Sequence, residues 1–462
     1  MTEDKTAASQ LDKEEQKYHK MLESPVKPLI LKLALPAIVS MMCTSFYNMA
    51  DTYFVSKLNT SSTAAVGVAF ATMAIIHAIA FFYGMGSGNY MARRLGAHDR
   101  AAAHTMASTS FFYAFVTGCL VAILGNIFVK PLATLIGSTP TIQPYAVSYM
   151  SIVLCGAPIM MCSLLMNNHL RLQGSAAFGM VGITIGGVLN VFLDPLFIFK
   201  FNLGIAGAAY ATVLSQCVSF CVLFCMTRQG GNIPIHFREI HPSLALYKEI
   251  IAGGAPSLVR QGTQSLSTIF LNVAAGAFGD AAIAGMSIVT RLSFVAASVV
   301  IGFGQGYQPV CGFSYGAKKF GRLREGFWFA VRSGVLFSLL AATIGYLFAP
   351  RILLHFRDDP AVIRVGIAAL RCQCVTFPLI PFVIISNMNL QTTRQTVGAM
   401  LVAAGRSGVF LIPPLLVLPK LWGLDGLVLC QPISDICAFI LAAVLMRIFL
   451  KGIPVGDVEE LK

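Results

Sequence analysis

Gly84-Met85-Gly86-Ser87-Gly88 returns 218 positions later as Gly302-Phe303-Gly304-Gln305-Gly306, so the chain carries two copies of one segment. Elsewhere along the chain the same spacing recurs within two residues. Leu95-Gly96-Ala97 matches Tyr315-Gly316-Ala317, Leu172-Gln173 matches Leu390-Gln391, Gly204-Ile205-Ala206-Gly207 matches Gly423-Leu424-Asp425-Gly426, and Pro36 matches Pro256. Five anchors at one offset are hard to obtain by chance, even with 41 glycines in the chain. A duplicated set of membrane segments is the signature of a secondary transporter, in which two similar lobes rock about a midplane site. The alternating glycines themselves are no nucleotide loop, because no strand precedes them and no Gly-Lys-Ser/Thr follows. At the ends of membrane helices they permit close helix contact or bending.

Composition fixes the solvent. The 462 residues are 56% hydrophobic and 11% charged, with a mean hydropathy of +0.74, against about 25% charged residues in a soluble domain. About twelve stretches are long enough to cross a hydrocarbon core of about 30 Å. The net charge of +13 lies mainly in alternate loops: the N-terminal tail (Lys5, Lys13, Lys17), Arg93-Arg94 and Arg100, the mid-chain Arg228, Arg238 and Lys248, Lys318-Lys319, and the C-terminal Arg447 and Lys451. The opposite loops hold few, such as Lys57, Lys130 and Lys200. This asymmetry puts both termini in the cytoplasm, makes the number of spans even and leaves no need for a nucleic-acid partner.

The expected fold is therefore an all-α integral membrane protein with about twelve transmembrane helices in two parallel six-helix repeats. The divisions expected are a tail over 1–28, a lobe over 29–228, a polar linker over 229–248, a second lobe over 249–450 and a tail over 451–462. The twelve cysteines lie mostly within spans and show no CxxC spacing, so neither disulfides nor a zinc site is indicated.

Carboxylates inside spans cost at least ~2.5–3.5 kcal/mol on insertion scales and are functional candidates by default. Asp51 precedes Lys57, and Asp194 precedes Lys200, by six residues each, which sets both acids about 9 Å inside the outer end of their spans. Equal depth permits a shared site. Asn190 lies one turn before Asp194 on the same face, and Pro195, which lacks an N–H, frees a carbonyl of the preceding turn. In the other copy Asp194-Pro195 becomes Pro413-Pro414, so the acids occur once, where a purely architectural role would be expected twice. The second copy instead offers Arg260, Gln261, Gln264, Arg291 and Asp435, and an Arg and an Asp within one lobe are expected to pair. His77 is a candidate proton relay.

These residues resemble a known family. Leu35-Pro36, Asn48-Met49-Ala50-Asp51-Thr52, Arg94-Leu95-Gly96-Ala97, Asn190-Val191-Phe192-Leu193-Asp194-Pro195 and Gly204 to Thr212 are similar to motifs of the multidrug and toxic compound extrusion (MATE) transporters, in the bacterial DinF and MepA-like branch. The likeness runs from about Leu29 to about Leu450. It implies export of amphipathic, cationic drugs or toxic compounds across the bacterial plasma membrane, by rocking alternating access, in exchange for protons or sodium. It also implies a coupling site at Asp51, Tyr149, Asn190, Asp194 and Thr212, with sodium, if that is the ion, held by Asp51, Asn190, Asp194 and Thr212. Substrate contact or gating is expected at Arg260, Gln264, Arg291, Asn48 and His77. The expected partners are small organic molecules and the lipid bilayer. No cofactor beyond the coupling ion is expected, the chain is not read as an enzyme, and a monomer is the expected state.

The rival readings are a lipid-linked saccharide flippase of the same superfamily and a major facilitator. The flippase would carry more cavity cations than Arg260 and Arg291. The facilitator's loop after span 2 is poorly matched by Ala97-His98-Asp99-Arg100. A membrane enzyme would need a convergent His, Asp or Ser constellation, and a channel would need filter loops; the sequence offers neither.

Overall fold

The structure, a computed structural model, describes the backbone of residues 2–58, 60–356 and 359–457. It describes their side chains except at 2–11, 48, 52, 60, 61 and 63. Among the described residues there is no strand. The helices are α1 (Thr2–Glu23), α2 (Val26–Ser56), α3 (Thr60–Gly96), α4 (Arg100–Ile127), α5 (Val129–Leu135), α6 (Gln143–Leu172), α7 (Ala176–Pro195) and α8 (Gly204–Thr227). They continue with α9 (Leu244–Gly276), α10 (Asp280–Gly316), α11 (Phe320–Phe356), α12 (Pro360–Thr376), α13 (Ile380–Thr392), α14 (Thr396–Ala404) and α15 (Ile412–Gly452).

Ten helical segments are long and apolar enough to cross a bilayer. Two more complete the expected twelve. The run from Thr396 to Gly452 breaks at Gly423, whose backbone is non-helical (φ 60°, ψ −136°), and so makes two spans. The helix α9 is as long as its neighbours, with 33 residues, but Arg260, Gln261 and Gln264 dilute its hydropathy.

Local chemistry explains the ends. Asp99 caps α4 by accepting from the Ala102 N–H at 3.1 Å, and Asp359 caps α12 through the Ala361 N–H at 2.9 Å, with Pro360 in the first helical position. Chain reversals repeat between the copies in backbone terms. Left-handed conformations occur at His98 and Lys318, at Gly174 and Arg394, and at Gly204 and Gly423. Each pair is separated by the repeat offset, so the duplication is visible in φ where the side chains have diverged.

The chain forms two compact units. One comprises Met1–Ser24 with Leu35–Gly254, and the other Pro25–Ala34 with Ala255–Lys462. Where the sequence division places residues 29–34 with the first lobe and 249–254 with the second, the contacts group them the other way, and the linker groups with the first unit. Glycines explain the packing. In the first unit a Cβ on Gly86 would lie 2.3 Å from the Ile250 carbonyl oxygen, and one on Gly254 would lie 2.2 Å from the Phe82 oxygen. In the second unit a Cβ on Gly306 would lie 2.4 Å from Ala34. The duplicated glycine runs are therefore places where a helix backbone touches another backbone.

In the first unit the core lies between α3, α4, α6 and α8 and includes Met106, Met150, Met161 and Leu165, all fully buried. The N-terminal segment, which the sequence reading leaves without structure, is the helix α1 docked on this unit. The Lys17 ammonium reaches Asn232 Oδ1 at 2.6 Å, the Tyr18 ring stacks on His98 with centroids 4.5 Å apart, and Arg100 pairs with Glu15. Met21 is buried against Gly174.

Candidate functional site

The helices α2 and α7 run side by side in the same direction, as a chain of contacts shows. The Thr184 hydroxyl donates to Cys43 Sγ at 3.8 Å, and one turn on, Tyr47 lies against Gly187, where a Cβ would come within 3.0 Å of the ring. Asp51, one turn further along α2, and Asp194, two turns further along α7, are within electrostatic reach of each other. The parallel course of the two helices turns equal depth in the sequence into proximity in space. The glycine at 187 is what lets an aromatic ring fit between the helices.

Around the two acids stand the other three residues named from the sequence. Asn190 Nδ2 donates to Asp194 Oδ1 at 3.3 Å and lies 3.5 Å from Thr212 Oγ1 on α8. The Tyr149 hydroxyl, on α6, is within hydrogen-bonding reach of Thr212 and electrostatic reach of Asp51 and Asp194. It also touches Met73 Sδ at 3.9 Å. Asp194 lies in the last turn of α7, which ends at Pro195, a residue that cannot donate, and the chain then widens into a π-helical turn over Leu196–Lys200.

The burial of this cluster is its most telling property. Asp51, Tyr149, Asn190, Asp194 and Thr212 are all buried, Asp194 completely. Asp51 Oδ1, Asn190 Oδ1 and Asp194 Oδ2 are nonetheless without a hydrogen-bond partner among the described residues. Buried acceptors are nearly always satisfied, and an orphan costs about 1–3 kcal/mol. Three orphaned oxygens in one place form a donor set for a small hard cation. A proton would satisfy one of them and an alkali ion several.

Other sequence candidates lie elsewhere. His77 is half-buried on α3, one turn from Met73, and no contact among the described residues draws it into the cluster. The Asn48 side chain lies outside the described residues. In the second unit Arg260 is half-buried, Gln264 and Arg291 are exposed, and no contact among the described residues joins the three.

The expected pairing of an Arg with an Asp inside the second lobe is present, but the Arg is neither Arg260 nor Arg291: Arg406 Nε donates to Asp435 Oδ1 at 2.8 Å. Arg406 is embedded in the apolar run that continues from α14 and carries no local signal of its partner, which lies 29 positions away. Tyr47 was also overlooked. Its place four residues before Asp51, hence on the same helix face, was the signal that could have found it.

Comparison with known proteins gives a consistent picture. The model of the MatE family matches residues 36–196 and again 256–416, once per repeat. A curated relative, the multidrug export protein MepA of Staphylococcus aureus strain MRSA252, is 25% identical over 457 residues, covering 97% of this chain and 99% of that protein. A solved outward-facing structure of a multidrug resistance MATE family transporter of the MOP superfamily is similar, with a TM-score of 0.88 and 27% identity; the match covers 94% of this chain and 97% of that one. A MOP superfamily transporter from Pyrococcus furiosus, described as having a binding pocket of reversed polarity, matches with a TM-score of 0.88 and 26% identity, over 94% of this chain and 97% of that one.

Proposed function

The chain belongs to the MatE family, and from that premise we propose that it is a membrane transporter that exports amphipathic, cationic drugs or toxic compounds in exchange for protons or sodium. The single observation that carries the coupling half of this reading is the set of buried, unpartnered oxygens on Asp51, Asn190 and Asp194. The export half is supported by the near-full-length likeness to MepA.

The arrangement suits exchange. An empty donor set of buried carboxylates is costly, so the state that lacks the ion is driven to open toward water or to refill. A ligand moves a conformational equilibrium only by its differential affinity for the two states, and an ion held by α2, α7 and α8 together favours the arrangement in which those helices close on it. Binding of an organic cation to the alternative arrangement then competes with the ion through the protein. Tyr149 and Thr212, which contribute no net charge, are positioned to complete the coordination of whichever ion is bound.

The test is accumulation of ethidium in cells that express the wild-type chain, Asp51→Asn or Asp194→Asn. Low accumulation in the wild type, restored to the level of cells lacking the protein in both variants at equal membrane abundance, is the expected result. Unchanged export by both variants would overturn the coupling assignment, and equal accumulation with and without the wild-type chain would overturn the export assignment.

A further inference from the structure

The second unit contains a polar cluster in the middle of the membrane that the coupling site does not use. Arg406 lies ten residues from the start of α14 and Asp435 twelve residues beyond the break at Gly423. At 1.5 Å per residue each is about 15–18 Å from its end of the span, close to the centre of a core about 30 Å thick. Asp435 is 1% exposed and accepts three hydrogen bonds: from Arg406 Nε at 2.8 Å, from Gln431 Nε2 at 3.0 Å and from Thr376 Oγ1, on α12, at 3.2 Å. No other cation or carboxylate among the described residues contacts it. Arg406 sits in a π-helical turn over Gly405–Val409, and its carbonyl accepts from the hydroxyl of Ser434, the neighbour of Asp435. The wide turn is thus pinned to the helix that carries its counter-ion.

The repeat gives this cluster its meaning. At the offset of 219, Gln431 is the counterpart of Thr212, and Arg406 and Val409 are counterparts of Gly187 and Asn190. The spans equivalent to α7, which bears two of the orphaned oxygens, and to α8, which bears Thr212, therefore carry in the second copy a carboxylate supplied with three donors. One of the donors is a cation attached to the chain.

We propose that Arg406 is a resident cation: it satisfies the buried carboxylate of the second unit as the coupling ion satisfies those of the first, and so keeps the second unit out of the ion cycle. This rests on the reading of the first-unit cluster as the ion site. It makes Arg406 a positioning residue that sets how many ions each chain binds. Only a quarter of its side chain is exposed, so a free ion cannot readily replace it at Asp435.

The experiment counts ions. Purified protein in detergent is titrated with radioactive sodium, and separately its proton uptake is followed with an indicator dye, for the wild type, Arg406→Met, and Arg406→Met combined with Asp435→Asn. The proposal expects Arg406→Met to bind one more sodium or proton per chain than the wild type, and the double variant to return to the wild-type count. A count unchanged in Arg406→Met overturns it, because Asp435 would then hold no ion in place of the guanidinium. Should Arg406→Met fail to fold, the double variant, in which no charge is left unpaired, is expected to fold; a double variant equally unfolded overturns the proposal. Failure of the first-unit reading has a separate signature, in which Asp51→Asn and Asp194→Asn, in an otherwise wild-type chain, bind as many ions as before.

Discussion

Asn190 turns its amide nitrogen to Asp194 Oδ1, 3.3 Å away, and leaves its own carbonyl oxygen buried without a donor among the described residues. An amide placed so holds the carboxylate with one end and presents an unfilled acceptor with the other. Stability and activity should then respond in opposite directions at this cluster. Asp194→Asn and Asp51→Asn each remove a desolvated charge, so thermal unfolding in detergent should show them unchanged or more stable, by up to about 1–3 kcal/mol, while coupled export is lost. A large loss of stability would mark the acids as architectural.

Selectivity and coupling should separate by unit. Conservative changes at Gln264 and Arg291 should alter which compounds are exported while ion-driven turnover of at least one compound persists. Changes at Asn190 or Thr212 should weaken export of every compound together. Resistance profiles over a panel of cationic dyes and disinfectants measure both, and the reverse pattern would sink this division.

The orientation in the membrane can be read with single cysteines in a background lacking the twelve native ones. Gly231 is a poor position, because its φ is +69° and a Cβ there would lie 2.7 Å from the Lys13 backbone. Ser138 is buried. Arg238→Cys and Thr141→Cys, both at exposed positions, are better probes. A membrane-impermeant maleimide added to intact cells should label the second and spare the first if the linker is cytoplasmic.

Close backbone contact makes some glycines irreplaceable and leaves others free. A Cβ on Gly426 would lie 2.1 Å from the Leu418 carbonyl oxygen across the break at Gly423, and a backbone atom cannot swing aside. Gly426→Ala should therefore destabilise by about 1–3 kcal/mol or more. Gly262, inside α9, has nothing within 4 Å. Gly262→Ala should stabilise by about 0.5–1 kcal/mol, and melting temperatures in detergent decide both.

Docking of α1 should depend on pH. Desolvation pushes the Lys17 ammonium down to about 7 from its ordinary 10.5, with Glu14 pulling it up and Lys20 pushing it down. Undocked, the side chain holds its proton across the window from about 7 to 10.5, whereas docked it does not, so docking strengthens as pH rises through that window and is weakest, with no further change from Lys17, below about 7. Hydrogen exchange over residues 13–23, corrected for its intrinsic pH dependence, should be slower at pH 9 than at pH 6.5. In Lys17→Met the difference should flatten; a variant that keeps the full difference would exclude Lys17 as its source.

Much of this molecule was legible before any coordinates. Hydropathy gave the spans, the offset gave the duplication, and a separation of six positions between each acid and its lysine gave Asp51 and Asp194 a common depth. Asn190 followed from helical periodicity. What periodicity could not supply was adjacency between helices: depth is a property of one helix, whereas the pairing of Arg406 with Asp435, or of Lys17 with Asn232 across 215 positions, depends on which faces meet. Tyr149 came through the family resemblance alone, for the same reason. The helix α1 was missed because its charged face shows no apolar stripe long enough to span, and the partner that secures it lies in the linker.

The assignment of Pro25–Ala34 to the second unit also has a consequence in time. Those ten residues leave the ribosome early, but the glycine they pack against, Gly306, follows some 270 residues later, which at ~5–20 residues per second means a wait of about 15–50 s. Throughout that interval the first lobe must insert with the opening turns of its own leading helix unclaimed, and it is completed only when Leu244–Gly254 arrives. Assembly is thus interlocked: neither half of the polypeptide can mature on its own, and severing the chain in the linker should yield two fragments that are productive only when synthesised together.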